Sequence, residues 1–296
     1  MNFIKNLFGR RREAKVASSW NDFKFPSDVL NPESVGVFTS SDISEAWSAV
    51  YMAKALQDVY PGITIHFAAH QKMSELAGFL PWTPKMHVYN GDMGSLDPNL
   101  PDGLLLFSPR PGDDLLKFVQ KITPLACVSS VKHPAVNIRI KTTADAFPEK
   151  VYGIMKILKF KMDTSWKPVV PGVLADKASA ILSPVSHRTL PYILATEAAS
   201  AVFEKKRAEV PLKIVVLDGK SSAIPTDTSE GIIAAMVAGA SAVATTSRVL
   251  WIHARALGVP VIGLDRKDSF TGWGGDPATG DTQFIEQWAS LIREGW

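Results

Sequence analysis

The sequence has very little cysteine, and none of its apolar runs is long. The single Cys127 lies in the apolar stretch "PLACVSS" and has no second cysteine with which to form a disulfide. No run approaches the roughly 20 apolar residues that a transmembrane helix needs, and the first residues lack the pattern of a secretory signal. These absences exclude a disulfide-stabilised secreted domain and predict a cytoplasmic protein in a reducing compartment.

Charge excess and the common catalytic signatures are also missing. With 32 basic and 29 acidic residues, the formal charge of +3 is too small to indicate nucleic-acid binding by itself. There is no Gly-x-Ser-x-Gly sequence, no Walker loop and no spacing typical of zinc ligands. We therefore expect no metal and no resident cofactor. A chain of 296 residues, 46% of them hydrophobic, is long enough for two globular domains.

Basic residues are concentrated at the N-terminus, in "MNFIKNLFGRRREAK". The apolar residues of the segment Phe3–Arg12 would share one helical face, and its lysine and arginines supply positive charge. A basic amphipathic segment of this kind binds an anionic membrane surface or a protein partner. The alternative is a tail in which apolar residues cluster by chance. Both interpretations stay open for this segment, which we assign to a tail and linker over residues 1–33.

Strand and helix patterns alternate from residue 34 onward. The apolar runs "SVGVFT", "ITIHFAA", "KMHVYN", "GLLLFS", "LACVSS" and "VNIRIK" predict strands, and "ISEAWSAVYMAKALQDVYPG" predicts a helix between the first two. The Pro-rich "DTSWKPVVPG" is typical of an interdomain linker. Because strands this apolar are covered on both faces, we predict an α/β protein with parallel sheets.

The same alternation restarts after the linker. "ASAILSP" is predicted as the first strand of a second domain, and "YILATEAASAVFEKKRAE" as a long helix after it. "LKIVVLDG" and "SAVATTSRVLWIHARALGVPVIGL" supply further strands, and "TQFIEQWASLIREGW" predicts an amphipathic final helix. The pattern predicts two Rossmann-like domains, residues 34–165 and 166–281, with a ligand cleft between them and a terminal helix over 282–296.

Two stretches of the second half resemble glycosyltransferase family 9, which includes the ADP-heptose lipopolysaccharide heptosyltransferases. They are "DTSEGIIAAMVAGASAVATTS", with Thr228 before an Ala-rich helix, and "HARALGVPVIGL". "FTSSDISEAWSAVYMAKALQDVYPG" resembles the opening strand, turn and helix of the family. The resemblance implies a GT-B fold, in which two Rossmann-like domains with parallel sheets face a cleft and the C-terminal helix crosses back. It also implies inverting transfer of a heptose-like sugar from a nucleotide diphosphate donor to a cell-envelope glycan, by a bacterial protein peripheral on the inner membrane.

The resemblance offers Asp42 as the catalytic base. Family members place an acidic base in a Gly-Asp pair just after the first strand, and this sequence has Ser41-Asp42 there. Such a carboxylate takes the proton from the acceptor hydroxyl as it attacks the anomeric carbon. The alternative is that Asp42 is the N-cap of the helix that begins here. The sequence alone does not separate the two roles.

Donor-binding residues are implied in the second domain. Family members have a basic residue after the first strand of this domain, and Arg188 follows the predicted strand "ASAILSP". Arginine binds phosphate at least as well as lysine does. The alternative is a solvent-exposed Arg188 with no ligand. Thr228, at the start of the Ala-rich helix, is a further donor-binding candidate.

The turn after "SAVAT" departs most from the family. Family members have Asp-(Ser/Thr)-Gly-x-x-His there, and the backbone amides of this turn bind the donor's diphosphate. Aligned on the following "GVPVIGL", Val249 stands at the Gly position and His253 lies one residue beyond the His position. A β-branched Val249 obstructs close approach of phosphate to the backbone. The turn therefore resembles a donor site that side chains have filled in. The donor-binding candidates of this region are Thr246, Ser247, Arg248 and His253.

A Gly-rich loop follows the last predicted strand. In "DRKDSFTGWGGDPATGD", Trp273 is flanked by glycines and is positioned to stack on a sugar or base. The alternative is an ordinary surface loop. Trp251, in the helix before that strand, is predicted to serve in packing.

Two functions from different classes fit the sequence. The first is a glycosyltransferase that uses Asp42 as base and Arg188 as a phosphate ligand. The second is a GT-B protein without catalytic activity, which serves as a scaffold or subunit of a membrane-associated complex. The retained Asp42 favours the first function, and the altered turn at Val249 favours the second.

Overall fold

The computed structural model describes residues 30–91, 96, 100–101, 103–122, 124–144, 146–186, 191–218, 224–225, 227–265, 270 and 273–294. The predicted tail segment Phe3–Arg12 and the predicted donor residue Arg188 lie outside these residues. The chain divides into two compact units, one ending at Ser165 and one beginning at Trp166. Over the described ranges, no helix has both the length and the apolar character needed to cross a membrane.

The first unit is built on a six-stranded parallel sheet. Its elements in chain order are β1 (Val35–Thr39), α1 (Ile43–Val59), β2 (Ile65–His70), a 3-10 helix (Gln71–Phe79), β3 (Lys85–Tyr89), β4 (Leu105–Phe107), α2 (Asp113–Ile122), β5 (Ala126–Ser129), β6 (Ile138–Arg139) and α3 (Glu149–Ile157). The strand order is β3-β2-β1-β4-β5-β6. The order reverses between β1 and β4, which makes this pair the topological switch point, where ligands of doubly wound proteins bind.

Apolar side chains of β1 and α1 form the centre of the first unit. Every residue of β1 is buried, as expected for the central strand of a sheet that is covered on both faces. Trp47 of α1 is fully buried and packs edge-on against Phe79, with ring centroids 5.2 Å apart. The chain leaves α1 through Gly62, whose φ of +86° favours glycine and reverses the chain toward β2.

The second unit contains a smaller parallel sheet of four strands. Its elements are α4 (Gly172–Ser186), β7 (Tyr192–Ala195), α5 (Glu197–Lys206), β8 (Lys213–Val216), α6 (Glu230–Gly239), β9 (Ala242–Thr245), α7 (Arg248–Leu257), β10 (Val261–Gly263) and α8 (Asp281–Glu294). The strand order is β10-β9-β7-β8, which puts the switch point between β7 and β9. The prediction of an α/β protein with two parallel sheets is confirmed.

The start of the second unit differs from the prediction. "ASAILSP" is not a strand but part of helix α4, and the first strand of this unit is β7, within the segment predicted as a long helix. A short apolar run does not distinguish a strand from a buried helix, and Ala and Leu favour the helix. The long predicted helix is divided at Thr196, the N-cap of α5, into the strand "YILA" and a shorter helix.

The final helix packs on the second unit. Phe284 and Trp288 of α8 are buried and contact Phe203 of α5, with ring centroids 5.5 Å and 4.9 Å away. The Trp288 indole Nε1 donates a hydrogen bond to the Glu209 carbonyl at 2.9 Å. The predicted amphipathic helix is therefore present and uses its apolar face within this unit. The implied return of the helix toward the first unit stays a prediction.

Candidate functional site

The switch point of the first sheet gathers polar side chains at the carboxyl ends of β1 and β4. Ser40, Asp42 and Glu45 follow β1, and Ser108 and Arg110 follow β4. Parallel strands end at the same edge of the sheet, so these two groups of residues meet there. Arg110 joins them, because its guanidinium donates a 2.9 Å hydrogen bond to the Ser44 hydroxyl at the start of α1.

Asp42 is the N-cap of α1. Its Oδ1 accepts hydrogen bonds from the backbone N–H groups of Ser44 at 2.8 Å and Glu45 at 3.2 Å, and also from the Ser44 hydroxyl. These contacts satisfy amides that have no partner within the helix and place a negative charge at the positive end of its dipole. The capping role is therefore observed, while the predicted role of Asp42 as a base stays a prediction.

Glu45 is a buried carboxylic acid one turn into the same helix. Only 8% of the residue is exposed. Its Oε2 accepts a hydrogen bond from the Ser40 hydroxyl, and that hydroxyl accepts one from the Asp42 N–H at 3.2 Å. Burial raises the pKa of Glu45 above the ordinary 4.5; the Ser40 hydrogen bond opposes this shift, nearby Asp42 adds to it, and Arg110 opposes it. A buried carboxyl group with a raised pKa is suited to proton transfer near neutral pH.

Two further features complete the surroundings of this cluster. The backbone after β4 lies against the carboxyl group, because a Cβ at Gly112 would be in van der Waals contact with Glu45 Oε1, at 3.4 Å. The hydroxyl groups of Ser108 and Ser130, which follow the adjacent strands β4 and β5, are buried without a hydrogen-bond partner among the described residues. Buried hydroxyl groups are normally satisfied, so these two are available to a ligand at this edge.

Sequence reasoning missed Glu45, although a signal for it was present. Asp42 and Glu45 have the three-residue spacing of a capping box, in which the acidic residue usually reaches back to the N-cap backbone N–H. Here the Ser40 hydroxyl stands between the two, since it accepts from that N–H and donates to Glu45. The spacing identified a helix start, but the burial of the carboxyl group depends on residues that follow β4.

The switch point of the second sheet is closed by hydroxyl groups. The Thr246 N–H donates to the hydroxyl of Thr196 at 3.0 Å, and the two threonine hydroxyls lie 3.2 Å apart. The Ser247 N–H donates to the Thr245 hydroxyl at 2.8 Å. These amides follow β9 and precede α7, where a phosphate would need them. The turn is closed by side chains, as the sequence predicted.

Helix α7 adds bulk rather than backbone access to this turn. It begins at Arg248, and its second residue Val249 is partly buried. Trp251 stacks on Phe270, with ring centroids 5.1 Å apart, which confirms its packing role. The absent side chain of Gly263 makes room for this indole, because a Cβ there would approach it to 2.8 Å.

Charges at this edge are of both signs. Arg248 is partly exposed at the start of α7. Glu197 follows β7, and its N–H donates to the Asp218 carboxylate, which follows β8, at 2.7 Å. Acidic residues that follow β7 and β8 disfavour a diphosphate at this edge, and Arg248 favours one. A donor-binding role for Thr246, Ser247 and Arg248 stays a prediction.

His253 and Thr228 make contacts within the second unit. His253 is fully buried, and its Nε2 is hydrogen bonded to Glu230 at 2.9 Å. The Thr228 hydroxyl donates to the Pro225 carbonyl at 2.7 Å. The hydrogen bond between His253 and Glu230 links α7 to α6, so the His253 ring contributes to the packing of these two helices. The predicted contact of His253 with the donor stays a prediction.

The position assumed for Arg188 requires correction. Arg188 was expected to follow the first strand of the second domain, but the residues before it form α4 and the strand β7 comes after it. The residues that follow this strand are Thr196 and Glu197, neither of which is basic. Donor binding by Arg188 stays a prediction. The argument that Arg188 follows the first strand of this domain no longer supports it.

Trp273 is neither a stacking platform nor part of an exposed loop. Only 1% of it is accessible to solvent, and its carbonyl accepts a 3.2 Å hydrogen bond from Arg255 Nε. The neighbouring Gly275 lies against Trp251, where a Cβ would approach the indole to 2.9 Å. Gly275 thus allows close packing of this segment on α7, and the sequence pattern alone did not distinguish this from a ligand-binding loop.

Comparison with solved structures finds the same fold in family 9 glycosyltransferases. E. coli ADP-heptose LPS heptosyltransferase II matches with a TM-score of 0.59 at 12% identity, over 88% of this chain and 99% of that chain. The glycosyl transferase family 9 protein of Veillonella parvula DSM 2008 matches with a TM-score of 0.60 at 10% identity, over 88% of this chain and 97% of that chain. E. coli heptosyltransferase WaaC with ADP-2-deoxy-2-fluoro heptose matches with a TM-score of 0.58 at 13% identity, over 88% of this chain and 99% of that chain.

No protein-family model and no curated protein matches the sequence. At identities this low, the likeness to solved structures establishes the fold. The chain has a family 9 heptosyltransferase-like fold of the GT-B type.

Proposed function

We propose that this chain is an inverting glycosyltransferase of the family 9 type, which transfers a sugar from a nucleotide diphosphate donor to an acceptor hydroxyl. The observation that carries the proposal is the pair of carboxyl groups, Asp42 and Glu45, at the switch point of the first sheet. Inverting transfer needs a carboxylate that removes the acceptor proton during attack. E. coli heptosyltransferase WaaC, which has the same fold, holds ADP-2-deoxy-2-fluoro heptose in its structure, and this supports a donor of the same class.

The chemistry assigns different tasks to the two units. In the first, a carboxylate takes the acceptor proton while Ser108, Ser130 and Arg110 offer hydrogen bonds to a hydroxylated acceptor. In the second, the Arg248 side chain contacts the donor's diphosphate in place of the turn amides, which the hydroxyls of Thr196 and Thr245 occupy. Arginine presents a forked donor pattern that suits phosphate oxygens. A cell-envelope glycan as acceptor and membrane or partner binding by Phe3–Arg12 belong to the same proposal.

A second candidate function is a GT-B protein without catalytic activity that acts as a scaffold or subunit. The closed turn before α7 favours it, because a helix N-terminus binds phosphate only where its N–H groups are accessible. Glu197 and Asp218 at the same edge favour it as well. The two candidates differ in a measurable property, the affinity of the chain for a nucleotide sugar.

Calorimetric titration of the full chain with ADP-heptose and other nucleotide diphosphate sugars tests the proposal. We expect one donor to bind with a dissociation constant in the micromolar range and to release nucleotide diphosphate slowly when water replaces the acceptor. Bovine serum albumin titrated in parallel controls for heats of dilution and nonspecific binding. If no donor of the panel binds below the millimolar range and no nucleotide is released, the catalytic function is wrong and the scaffold function replaces it.

A further inference from the structure

The start of α1 offers two carboxyl groups for one catalytic task. Asp42 and Glu45 are three residues apart and interact electrostatically. Family resemblance pointed to the first of them, but the contacts in this structure distinguish them. The question is which group is able to take a proton from an acceptor bound at the switch point between β1 and β4.

The Asp42 side chain serves to cap helix α1. Its Oδ1 accepts hydrogen bonds from two backbone amides and one hydroxyl, all of which belong to the first turn of α1. Each contact stabilises the carboxylate in its ionised form and directs this oxygen toward the helix end. A proton gained by Asp42 would weaken the cap and with it the helix start.

Glu45 has the opposite surroundings. It makes a hydrogen bond to the Ser40 hydroxyl through Oε2, while Oε1 lies beside Gly112, where a side chain would come within 3.4 Å. The carboxyl group is buried at the switch point, and the unsatisfied Ser108 hydroxyl follows β4 at the same edge of the sheet. A Cβ at Gly112 would make ordinary van der Waals contact with Oε1, so the backbone that follows β4 lies against this oxygen.

We propose that Glu45, rather than Asp42, is the catalytic base of this chain, with Ser40 orienting its carboxyl group and Asp42 holding the helix on which it stands. The inference rests on the proposed glycosyltransferase function. In the reaction, the acceptor O–H proton passes to a Glu45 carboxylate oxygen as the acceptor oxygen bonds to the anomeric carbon. The bond between that carbon and the donor's phosphate oxygen breaks, and the nucleotide diphosphate leaves with the electron pair.

Two matched substitutions separate the roles. Glu45→Gln keeps the shape and removes the base, and Asp42→Asn removes the charge but keeps a side chain that caps helices as well as aspartate does. With ADP-heptose as donor and water as acceptor, we expect release of ADP by Glu45→Gln to fall by roughly 10²–10⁴-fold, the usual contribution of a general base. In Asp42→Asn, the rate of ADP release should fall by less than about tenfold. Glu204→Gln, which alters an exposed carboxylate of α5, is the control for unchanged activity.

The pH profile gives a second measurement. Burial raises the pKa of Glu45, while Asp42 and Arg110 act on it with opposite signs, and the Tyr89 hydroxyl is the further titratable group that interacts with it. We expect kcat/KM of the intact chain to fall on the acid side as Glu45 is protonated, and we expect this limb to disappear in Glu45→Gln. Glu45→Asp, which keeps a shorter base, should retain the limb with reduced activity and serves if the glutamine variant does not fold.

The outcomes distinguish the inference from the proposed function. If the intact chain binds no donor and releases no ADP, the glycosyltransferase function fails and the assignment of Glu45 fails with it. If the intact chain is active, Glu45→Gln retains activity and Asp42→Asn loses it, then the function stands and the inference alone is overturned.

Discussion

At the residue scale, one hydroxyl group at each switch point decides which polar groups there are able to contact a ligand. In the first sheet the Ser40 hydroxyl holds a buried carboxyl group, and in the second the Thr196 hydroxyl occupies a backbone amide of the turn before α7. The two residues stand at corresponding places, directly after a central strand. The Ser40 hydroxyl orients a carboxyl group, and the Thr196 hydroxyl occupies an amide that could bind phosphate, so a hydroxyl group at this position has opposite consequences for ligand binding in the two sheets.

Replacement of Thr196 by Val tests the closure of the second turn. Valine has the same shape but leaves the Thr246 N–H without its acceptor, which should lower the free energy of unfolding by about 1–3 kcal/mol. Thr196 is the N-cap of α5 without a capping hydrogen bond from its side chain, so loss of a cap does not contribute. Urea denaturation measures the effect, and Thr196→Ser, which keeps the hydroxyl, is the control. Equal stability of the two variants would contradict the closure.

A pair of buried histidines makes the stability of the first unit depend on pH. His66 Nδ1 lies 2.9 Å from His87 Nε2, and the rings are stacked. Burial, and to a smaller extent the charges of His87 and Lys85, lower the pKa of His66 from 6.5 to about 4. The unfolded chain therefore binds a proton near pH 6.5 that the folded chain binds only near pH 4. Stability from this group is present above pH 6.5 and is lost as the pH falls through this window.

We expect His66→Gln to flatten this dependence. The variant should be less stable than the intact chain at pH 7.5, because it loses the contact with His87, and its free energy of unfolding should decline less between pH 6.5 and 4. Denaturation curves at a series of pH values measure the difference. His70→Asn is the control, since His70 is partly exposed and caps the 3-10 helix by accepting from the Lys72 N–H. Parallel declines for His66→Gln and the intact chain would show that another group is responsible.

At the scale of elements, α1 and α7 show how two helix starts that both follow a buried strand diverge. α1 begins with a carboxylate cap and keeps polar groups around it. The N-cap of α7 is Ser247, whose side chain makes no capping hydrogen bond, and Val249 and Trp251 supply bulk in the first turn. The first helix start is therefore able to position a reactive group, while the second is obstructed at the site where a diphosphate would bind.

Opening the start of α7 should restore binding of a diphosphate. Arg248→Ser removes the positive charge at the start of α7 and should weaken binding of ADP-heptose, whereas Arg248→Ser combined with Val249→Gly exposes the backbone amides of the first turn. A recovered hydrogen bond to a charged phosphate is worth about 1.5–3 kcal/mol, so the double variant should bind at least about tenfold more tightly than Arg248→Ser. Calorimetric titration of the three chains measures this. Equal affinities of the single and double variants would show that Val249 is not the obstruction.

At the scale of the whole molecule, the sequence predicted the fold well because apolar runs alternate with amphipathic ones along most of the chain. It was wrong at "ASAILSP", where a run of small apolar residues suits both a strand and the buried side of α4. The cap at Asp42 was predictable from the local pattern. The burial of Glu45 and the occupation of the Thr246 amide by Thr196 were not, because each depends on residues some 50 or more positions away, which only the folded sheets bring together.

The distribution of charge over the whole chain bears on its location. The first 15 residues hold five basic residues and one acidic residue, so the remainder of the chain, with a total of +3, has a formal charge of −1. The net positive charge of the protein is therefore confined to the segment that includes Phe3–Arg12. A basic segment on a weakly acidic body is attracted to an anionic surface through the segment alone.

Neutralising this segment should release the chain from anionic vesicles. Each basic residue near such a surface contributes about 1 kcal/mol, so replacing Arg10, Arg11 and Arg12 by alanine should lower the partition coefficient about 100-fold at low salt. Flotation with vesicles of phosphatidylglycerol and phosphatidylcholine measures binding. Alanine at the exposed Lys177, Lys205 and Lys206 changes the formal charge equally and should leave binding unchanged, because these residues lie on the body of the protein. If both triple variants lose binding to the same extent, net charge rather than the N-terminal segment is responsible. If the intact chain does not bind vesicles, the prediction of membrane binding by this segment is wrong.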